Sequence, residues 1–297
     1  MPTDILDFTK DFESNYPSFS IHAFQKAMDA VTKHYYQYQE AKSAHPTVEL
    51  FLKFFYQYRD LDVFEGYLFA EARSELLTEL KYVLDDFMSE LMSPHHQLRL
   101  RNLRRSEKRN SESIKSYIDG LFAQHAKLLV VRVDFHFRDS VTIEEAQEER
   151  EWYLRSIKRT YKPLVGYVWK LEYGKRREYH YHIAFFFNGN FVQNDIRIGQ
   201  LLGRAWKAGS YHNCNADKRK YEEWGTCGIG EVHWDDMSKR GRLLDNALNY
   251  LLKLDERLLA TMFERSRSVG KMEVPRRRRK GGRPRAIHDA NPVEIPM

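Results

Sequence analysis

Two runs rich in β-branched and aromatic residues, Val165 to Tyr173 (VGYVWKLEY) and Tyr179 to Phe187 (YHYHIAFFF), flank Gly174 and the basic tripeptide Lys175-Arg176-Arg177. Runs of this composition bounded by turn residues read as strands, and Asn188-Gly189 closes the second. The pair is a β-hairpin, which commits the neighbouring chain to a sheet. Side chains alternate faces along a strand, so His180 and His182 share one face while Tyr181, Ile183 and Phe185 point into a core. Two imidazoles at i and i+2 on a rigid strand can share one divalent ion. With an odd number of turn residues, Glu172 falls on the same face, opposite His180 or His182, and offers a carboxylate as third ligand. A lone His-x-His in a strand is more often structural than metal-binding; Glu172 at hairpin spacing favours the metal.

The remaining composition narrows the partner. The 297 residues are enough for two domains or one large one, and the net charge of +6 favours an anionic partner, nucleic acid first. Cys214 and Cys227 form neither a disulfide framework nor a zinc-finger spacing, which suits a reducing, cytoplasmic compartment. The first 18 residues show no basic segment followed by an apolar one, as a signal peptide would. No apolar run approaches the roughly 20 residues of a membrane helix, so no membrane partner is expected.

Along the chain, residues 1–110 read as a helical region ending in a basic linker, 111–268 as a second domain and 269–297 as a basic, disordered tail. Phe24 to Tyr35, Leu50 to Tyr58 and Leu77 to Leu91 carry apolar stripes at helical spacing, and Pro94 stops the third helix. Residues 95–110 are a phosphate-binding or merely solvated basic segment, with His95-His96 exposed and idle. A short helix carries Ile114, Tyr117, Ile118 and Leu121. From Val130 the strand ending at Phe137 alternates strictly: Val131, Val133, Phe135 and Phe137 face a core, while Arg132, Asp134, His136 and Arg138 face away. That polar row is either the lining of a DNA-contacting site, with Arg132 and Asp134 in it, or a solvated ion pair. Thr142 and Glu145 form a capping box that opens a helix to about Tyr161, with Ala146, Glu149, Tyr153 and Ile157 on its packing stripe. Asp195 to Ala208 is amphipathic, with Ile198, Leu201, Leu202 and Trp206 inward.

Residues 209–227 are expected as an irregular loop, in which Lys218, Arg219, Lys220, Tyr221 and Trp224 suit single-stranded nucleic acid or an ordinary surface. Gly228 to Trp234 is a short strand. A helix from Leu243 to about Phe263 puts Leu244, Ala247, Leu248 and Leu251 on one side and clusters Asn246, Tyr250, Lys253 and Arg257 near the other. In the tail, Arg276, Arg277, Arg278, Arg279, Lys280, Arg283 and Arg285 stand with no acid among them. Gly282 to Arg285 resembles an AT-hook core, and a disordered electrostatic anchor is the simpler reading; both contact DNA.

The segments VVRVDFHF (130–137), YVWKLE (167–172), HYHIAFFFN (180–188) and NYLLK (249–253) occur in the order found in HUH endonucleases. They resemble most the inovirus-type replication-initiation proteins and the YagK/YfjJ-like prophage proteins, over roughly residues 114–265. The chain departs after its Tyr-x-x-Lys, where ERSRSVGKMEVPRRRRKGG replaces the usual glycine- and arginine-rich segment. The resemblance implies an α+β fold, a five-stranded antiparallel RRM-like sheet flanked by helices. It implies metal-dependent nicking of single-stranded DNA, initiating rolling-circle replication of a phage or mobile element. Carried onto this chain, Glu172, His180 and His182 hold Mg²⁺ or Mn²⁺, Tyr250 attacks the scissile phosphate and Lys253 sits beside it. The implied partner is single-stranded or supercoiled origin DNA. A host helicase also enters, since no G-x-x-x-x-G-K-[ST] loop occurs. Two other readings stand beside it: a non-catalytic DNA-binding or regulatory protein of a mobile element, and an RNA endonuclease using His as acid and base without metal.

Overall fold

The computed structural model describes residues 9, 10, 14, 45–58, 73–174, 178–248 and 267–273. Its centre is strand β1 (Lys127–Phe137), whose strict alternation buries Leu129, Val131, Val133 and Phe135 on one side. β2 (Leu164–Gly174) and β3 (Glu178–Asn188) form the expected hairpin, with Gly174 paired with Glu178 and three residues of sequence between them. β3 pairs antiparallel with β1, so β3 is flanked on both sides and its apolar run is accounted for.

The sheet has six antiparallel strands, not the five expected. β4 (Gly209–Asn213) and β5 (Gly230–His233) pair with opposite ends of the same edge of β1, and β6 (Val269–Lys271) closes the free edge of β2. β4 lies in the stretch expected as a loop, and β6 begins where the tail was placed. Both are too short and too polar to show a period of their own. Gly270 lets β6 lie against the Trp169 ring, where an added Cβ would come within 2.6 Å of Cζ2.

One face of the sheet is wholly apolar. Leu129, Val131, Val133 and Phe135 of β1, Trp169 and Leu171 of β2, and Tyr181, Ile183, Phe185 and Phe187 of β3 pack under α4 (Ile143–Thr160) and α5 (Asp195–Ala205). The Thr142–Glu145 capping box is present at the start of α4. Arg150, rather than Glu149, occupies its buried stripe and lies 4.0 Å over the Trp169 ring. On α5, Leu202 is buried but Leu201 is exposed, since only one of the two can face the sheet. The buried phenols of Tyr153 and Tyr181 donate to the Leu202 and Ala146 carbonyls, at 2.9 and 3.1 Å.

The opposite face is divided. Its first half, Leu128 and Val130 of β1, Val168 of β2 and Ala184 and Phe186 of β3, is covered by α3 (Pro94–Gln124) through Ile114, Tyr117, Ile118, Leu121 and Phe122. α3 is one 31-residue helix, with no break between the basic stretch and the segment around Ile114. Pro94 does end α2 (Arg73–Met92), but it also stands at the first position of α3, behind the Ser93 cap, where its missing N–H costs nothing. The start of α3 packs on α1 (Pro46–Tyr58) and α2, with Phe51 and Phe54 against Phe87. His96, expected exposed, is buried there beside Thr47, its Nε2 3.3 Å from Oγ1, and Arg99 pairs with Glu49.

The supposed loop after β4 is a 3₁₀ turn (Cys214–Asp217) followed by α6 (Lys218–Glu223). After β5, α7 (Met237–Arg242) runs into a π-helical turn, Leu243–Leu248, whose Leu243 and Leu248 complete the α3 side of the core. The expected helix is therefore entered six residues early, through α7, and Leu243–Leu248, where it was expected to begin, is wound as a π-turn. Among the described residues the chain is α+β, with seven α-helices and no helix long and apolar enough to cross a membrane.

Candidate metal centre

Beyond the edge of α3 the same sheet face turns polar. Two rows of residues cross the strands there. One runs His212–Asp134–His182–Lys170, and the next runs Ser210–His136–His180–Glu172. Glu172 thus stands directly opposite His180, and diagonal to His182. One atom each from Glu172, His180 and His182 lie within 4.8 Å of one another. Glu172 Oε2 is 3.0 Å from His182 Nε2 and 3.4 Å from His180 Nε2.

Each imidazole is held from behind. His180 Nδ1 is 3.1 Å from the Glu178 carbonyl, which can only accept, so Nδ1 carries the proton. His182 Nδ1 is 2.8 Å from Asp134 Oδ1, another acceptor. Neutral imidazoles in these tautomers turn both Nε2 lone pairs toward Glu172. A second ring nitrogen bonded to a carbonyl or carboxylate is the usual support for a metal-binding histidine, because it fixes the ring and raises its basicity. Two imidazole nitrogens and one carboxylate oxygen, preoriented toward one point, fit a divalent cation.

The electrostatics match this arrangement. Burial pushes the Asp134 carboxyl up, but the hydrogen bond from His182 and the Arg132 charge outweigh it and bring it to about 2. Burial likewise opposes ionisation of Glu172, and the hydrogen bonds from His180 and His182, with Lys170, hold it well below the ordinary carboxylate range. Burial lowers the His182 pKa, yet its bonds to Asp134 and Glu172 dominate and raise it. Without a metal, His182 is therefore drawn toward the imidazolium that bridges the two acids.

Two side chains complete the site that sequence did not single out. Lys170 is buried and its Nζ is 2.7 Å from Glu172 Oε1, so Glu172 uses one oxygen for the lysine and the other for the histidines. Its signal was available: Lys170 is two residues from Glu172 and so shares its face. Asn215 is fully buried, accepts from the Arg132 backbone N–H at 2.8 Å and donates to Asp195 Oδ2 at 3.0 Å. Asp195 in turn accepts from Lys218 Nζ, which ties α5, α6 and β1 together. No motif marks Asn215, because its partners are far away in sequence.

Of the other residues predicted for the site, Arg132 and Asp134 sit beside the triad as a pair. Arg132 Nε donates to Asp134 Oδ1 at 3.2 Å, and Arg132 Nη2 lies 3.4 Å from His182 Nδ1. Asp134 is thus engaged by both His182 and Arg132. Neighbouring Cys214 is inert, since burial and the Asp134 charge push its thiol up to about 12. Tyr250, Lys253, Arg257, Arg276, Arg277, Arg278, Arg279, Lys280, Arg283 and Arg285 lie outside the described residues.

Neither the curated proteins nor the solved structures contain a significant match to this chain. Residues 94–219 do match a family model, that of the YagK/YfjJ C-terminal domain, and this stretch runs from the start of α3 into α6 and holds Arg132, Asp134, Lys170, Glu172, His180 and His182. Over that stretch the chain is similar to the YagK/YfjJ-like prophage proteins.

Proposed function

We propose that this protein is an HUH-type, metal-dependent endonuclease that nicks and rejoins single-stranded DNA through a covalent 5′-phosphotyrosine, initiating rolling-circle replication of a phage or mobile element. One observation carries the proposal: His180 and His182, each supported through Nδ1, direct Nε2 toward the Glu172 carboxylate on the polar part of the sheet face. Glu172, His180 and His182 would hold the ion. A divalent ion there supplies charge stabilisation to the non-bridging oxygens of a phosphodiester. Mg²⁺ or Mn²⁺ would serve, and the Glu172 carboxylate suits either.

The chain's own groups do the rest. Asp134 and the Glu178 carbonyl keep the rings in the metal-binding tautomer. Lys170 neutralises Glu172 and keeps one of its oxygens turned away from the rings. Tyr250, assigned from sequence, attacks phosphorus through its phenolic oxygen. The new P–O bond forms as the bond to the 3′-oxygen breaks, and that oxygen leaves with a proton. A phenol titrates near pH ~10, so a cation at Lys253, three residues along in sequence, would favour the phenolate.

The test is a denaturing gel of protein incubated with single-stranded DNA from its own element, with Mn²⁺ or with chelator. A Mn²⁺-dependent protein–DNA adduct is expected, lost in Tyr250→Phe and in His180→Ala. An adduct that persists in Tyr250→Phe overturns the nucleophile. The second reading is a DNA-binding protein without nicking, in which the ion pairs of Lys170 with Glu172 and of Asp134 with His182 only hold the sheet face together. Tight, metal-independent binding with no adduct on any DNA selects it.

A further inference from the structure

A cavity of about 350 Å³ lies next to the metal centre and shares Arg132 with it. Besides Arg132 and Cys214, its walls come from three pieces of chain that carry no part of the triad: α6 and the turn after it, the approach to β5, and the π-turn. Tyr221, Trp224, Thr226, Ile229 and Asn246 line it with Arg132. The Tyr221 and Trp224 rings stand 6.1 Å apart at 78°, forming an aromatic corner. Trp224 is 68% exposed, an unusual position for the largest apolar side chain on a short helix end, and it forms the mouth. Asn246 is fixed by donating Nδ2 to the Thr226 carbonyl at 3.2 Å, which sets its amide at the wall. Gly228 makes this closeness possible, since an added Cβ there would come within 2.5 Å of Leu243 Cα at the head of the π-turn.

We infer that this cavity receives one unpaired nucleobase of a single-stranded DNA, stacked on Trp224 and Tyr221, with the phosphate of that nucleotide directed by Arg132 toward the Glu172–His180–His182 face. This deepens the proposed nicking reaction and rests on it. Every base has a π-face, so an aromatic corner is suited to a base whatever its identity, while an amide at the wall can pair with a base edge. The volume is near the lower end of small-ligand pockets, about 300 Å³, enough for one base with its sugar and too small for a base pair. A duplex keeps its bases stacked and cannot offer one. Arg219 and Lys220 on α6 beside the mouth are paired with Glu223 and Asp217, so the rim is balanced in charge and the phosphate contact falls to Arg132.

The test uses full-length protein, labelled oligonucleotides and chelator, so that no chemistry intervenes. Fluorescence anisotropy compares wild type, Trp224→Ala and Trp224→Phe on single-stranded DNA, on the matching duplex, and on a set of strands each carrying one abasic position. Loss of one stacked base weakens binding roughly 5- to 100-fold. Trp224→Ala should show that loss on single strands, with the duplex changed less than about 2-fold and Trp224→Phe recovering most of the affinity. One abasic position should weaken wild type by a similar factor and leave Trp224→Ala unaffected, because both changes remove the same contact. Wild-type affinity in Trp224→Ala overturns the inference, and so does an abasic penalty that is equal in both proteins. Absence of single-strand binding in the wild type overturns it too, and equal affinity for an RNA strand of the same sequence overturns its assignment to DNA. Parallel adduct assays with Mn²⁺ separate the two claims: a Trp224 effect without any adduct leaves the cavity standing and removes the nickase, while an adduct with unchanged Trp224→Ala binding does the reverse.

Discussion

Replacing Asp134 with asparagine separates two tasks that one carboxylate performs. Asp134 Oδ1 lies 2.8 Å from His182 Nδ1 and 3.2 Å from Arg132 Nε, and the Arg132 and Asp134 side chains are only 16% and 15% exposed. Asparagine keeps the shape and one accepting oxygen but removes the charge. The ring loses the anion that holds its proton on Nδ1 and raises the basicity of Nε2. Losing such a partner typically costs about 10- to 100-fold in metal affinity, or roughly 1.4–2.7 kcal/mol. Arg132 loses its counter-charge at the same time, which costs folding stability of about 1–3 kcal/mol while a neutral acceptor remains. The two effects have different readouts. Calorimetric titration with Mn²⁺ measures the first, and thermal unfolding in chelator measures the second. His180 provides an internal comparison, because its Nδ1 is held by the Glu178 backbone carbonyl, which no side-chain change removes. A protein in which Asp134→Asn lowers stability but leaves Mn²⁺ affinity unchanged would refute the metal-supporting role and reduce Asp134 to a partner for Arg132.

Two further predictions concern pH and packing. In metal-free protein the raised His182 contributes stability that is complete below about pH 6.5 and is lost as pH rises through its folded pKa, whereas the depressed Asp134 and Glu172 contribute fully above about pH 4 and lose their share as pH falls. Unfolding temperature in chelator should therefore decline on the alkaline side, and Mn²⁺, which replaces the proton on Nε2, should offset that decline; identical pH profiles with and without Mn²⁺ count against the site. Gly228→Ala should destabilise by about 1–3 kcal/mol, because its Cβ would meet Leu243 backbone that cannot turn aside, and an unchanged thermal transition would show that the π-turn is not packed as described.

How much of this was legible from sequence depends on the range of each signal. The hairpin and the shared face of Glu172, His180 and His182 follow from local alternation and an odd number of residues between the strands; which histidine Glu172 faces was left open, and the sheet pairs it with His180. The polar row of β1 also reads directly from its period, and it lines the site. What period cannot reveal is where α3 stops covering the face. Val168 and Lys170, or Ala184 and His182, are equivalent by alternation, and only the position of Tyr117, Ile118 and Leu121 above the sheet makes one of each pair core and the other site. β4 and β6 escape because five and three residues are too few to show alternation, and their partners, β1 and β2, are distant in sequence. Asn215 escapes for a related reason: its hydrogen bonds reach 83 residues to Arg132 and 85 to Val130.

The division of this face also explains why the site needs its two cations. Glu172 and Asp134 are carboxylates on the half that α3 leaves uncovered, and an apolar sheet with helices on both sides gives them little water. Lys170 and Arg132 balance them, one pair at each flank of the histidines. With neutral imidazoles the cluster then carries no net charge, which is what a largely dry polar network requires to be tolerated. A divalent ion added to such a cluster is not cancelled. Its charge would remain available to an anionic group brought to the site. A site with the same ligands but no Lys170 and Arg132 would spend the charge of the ion on its own carboxylates. The four charged residues are thus as much a part of what the site can do as the three that would touch the metal.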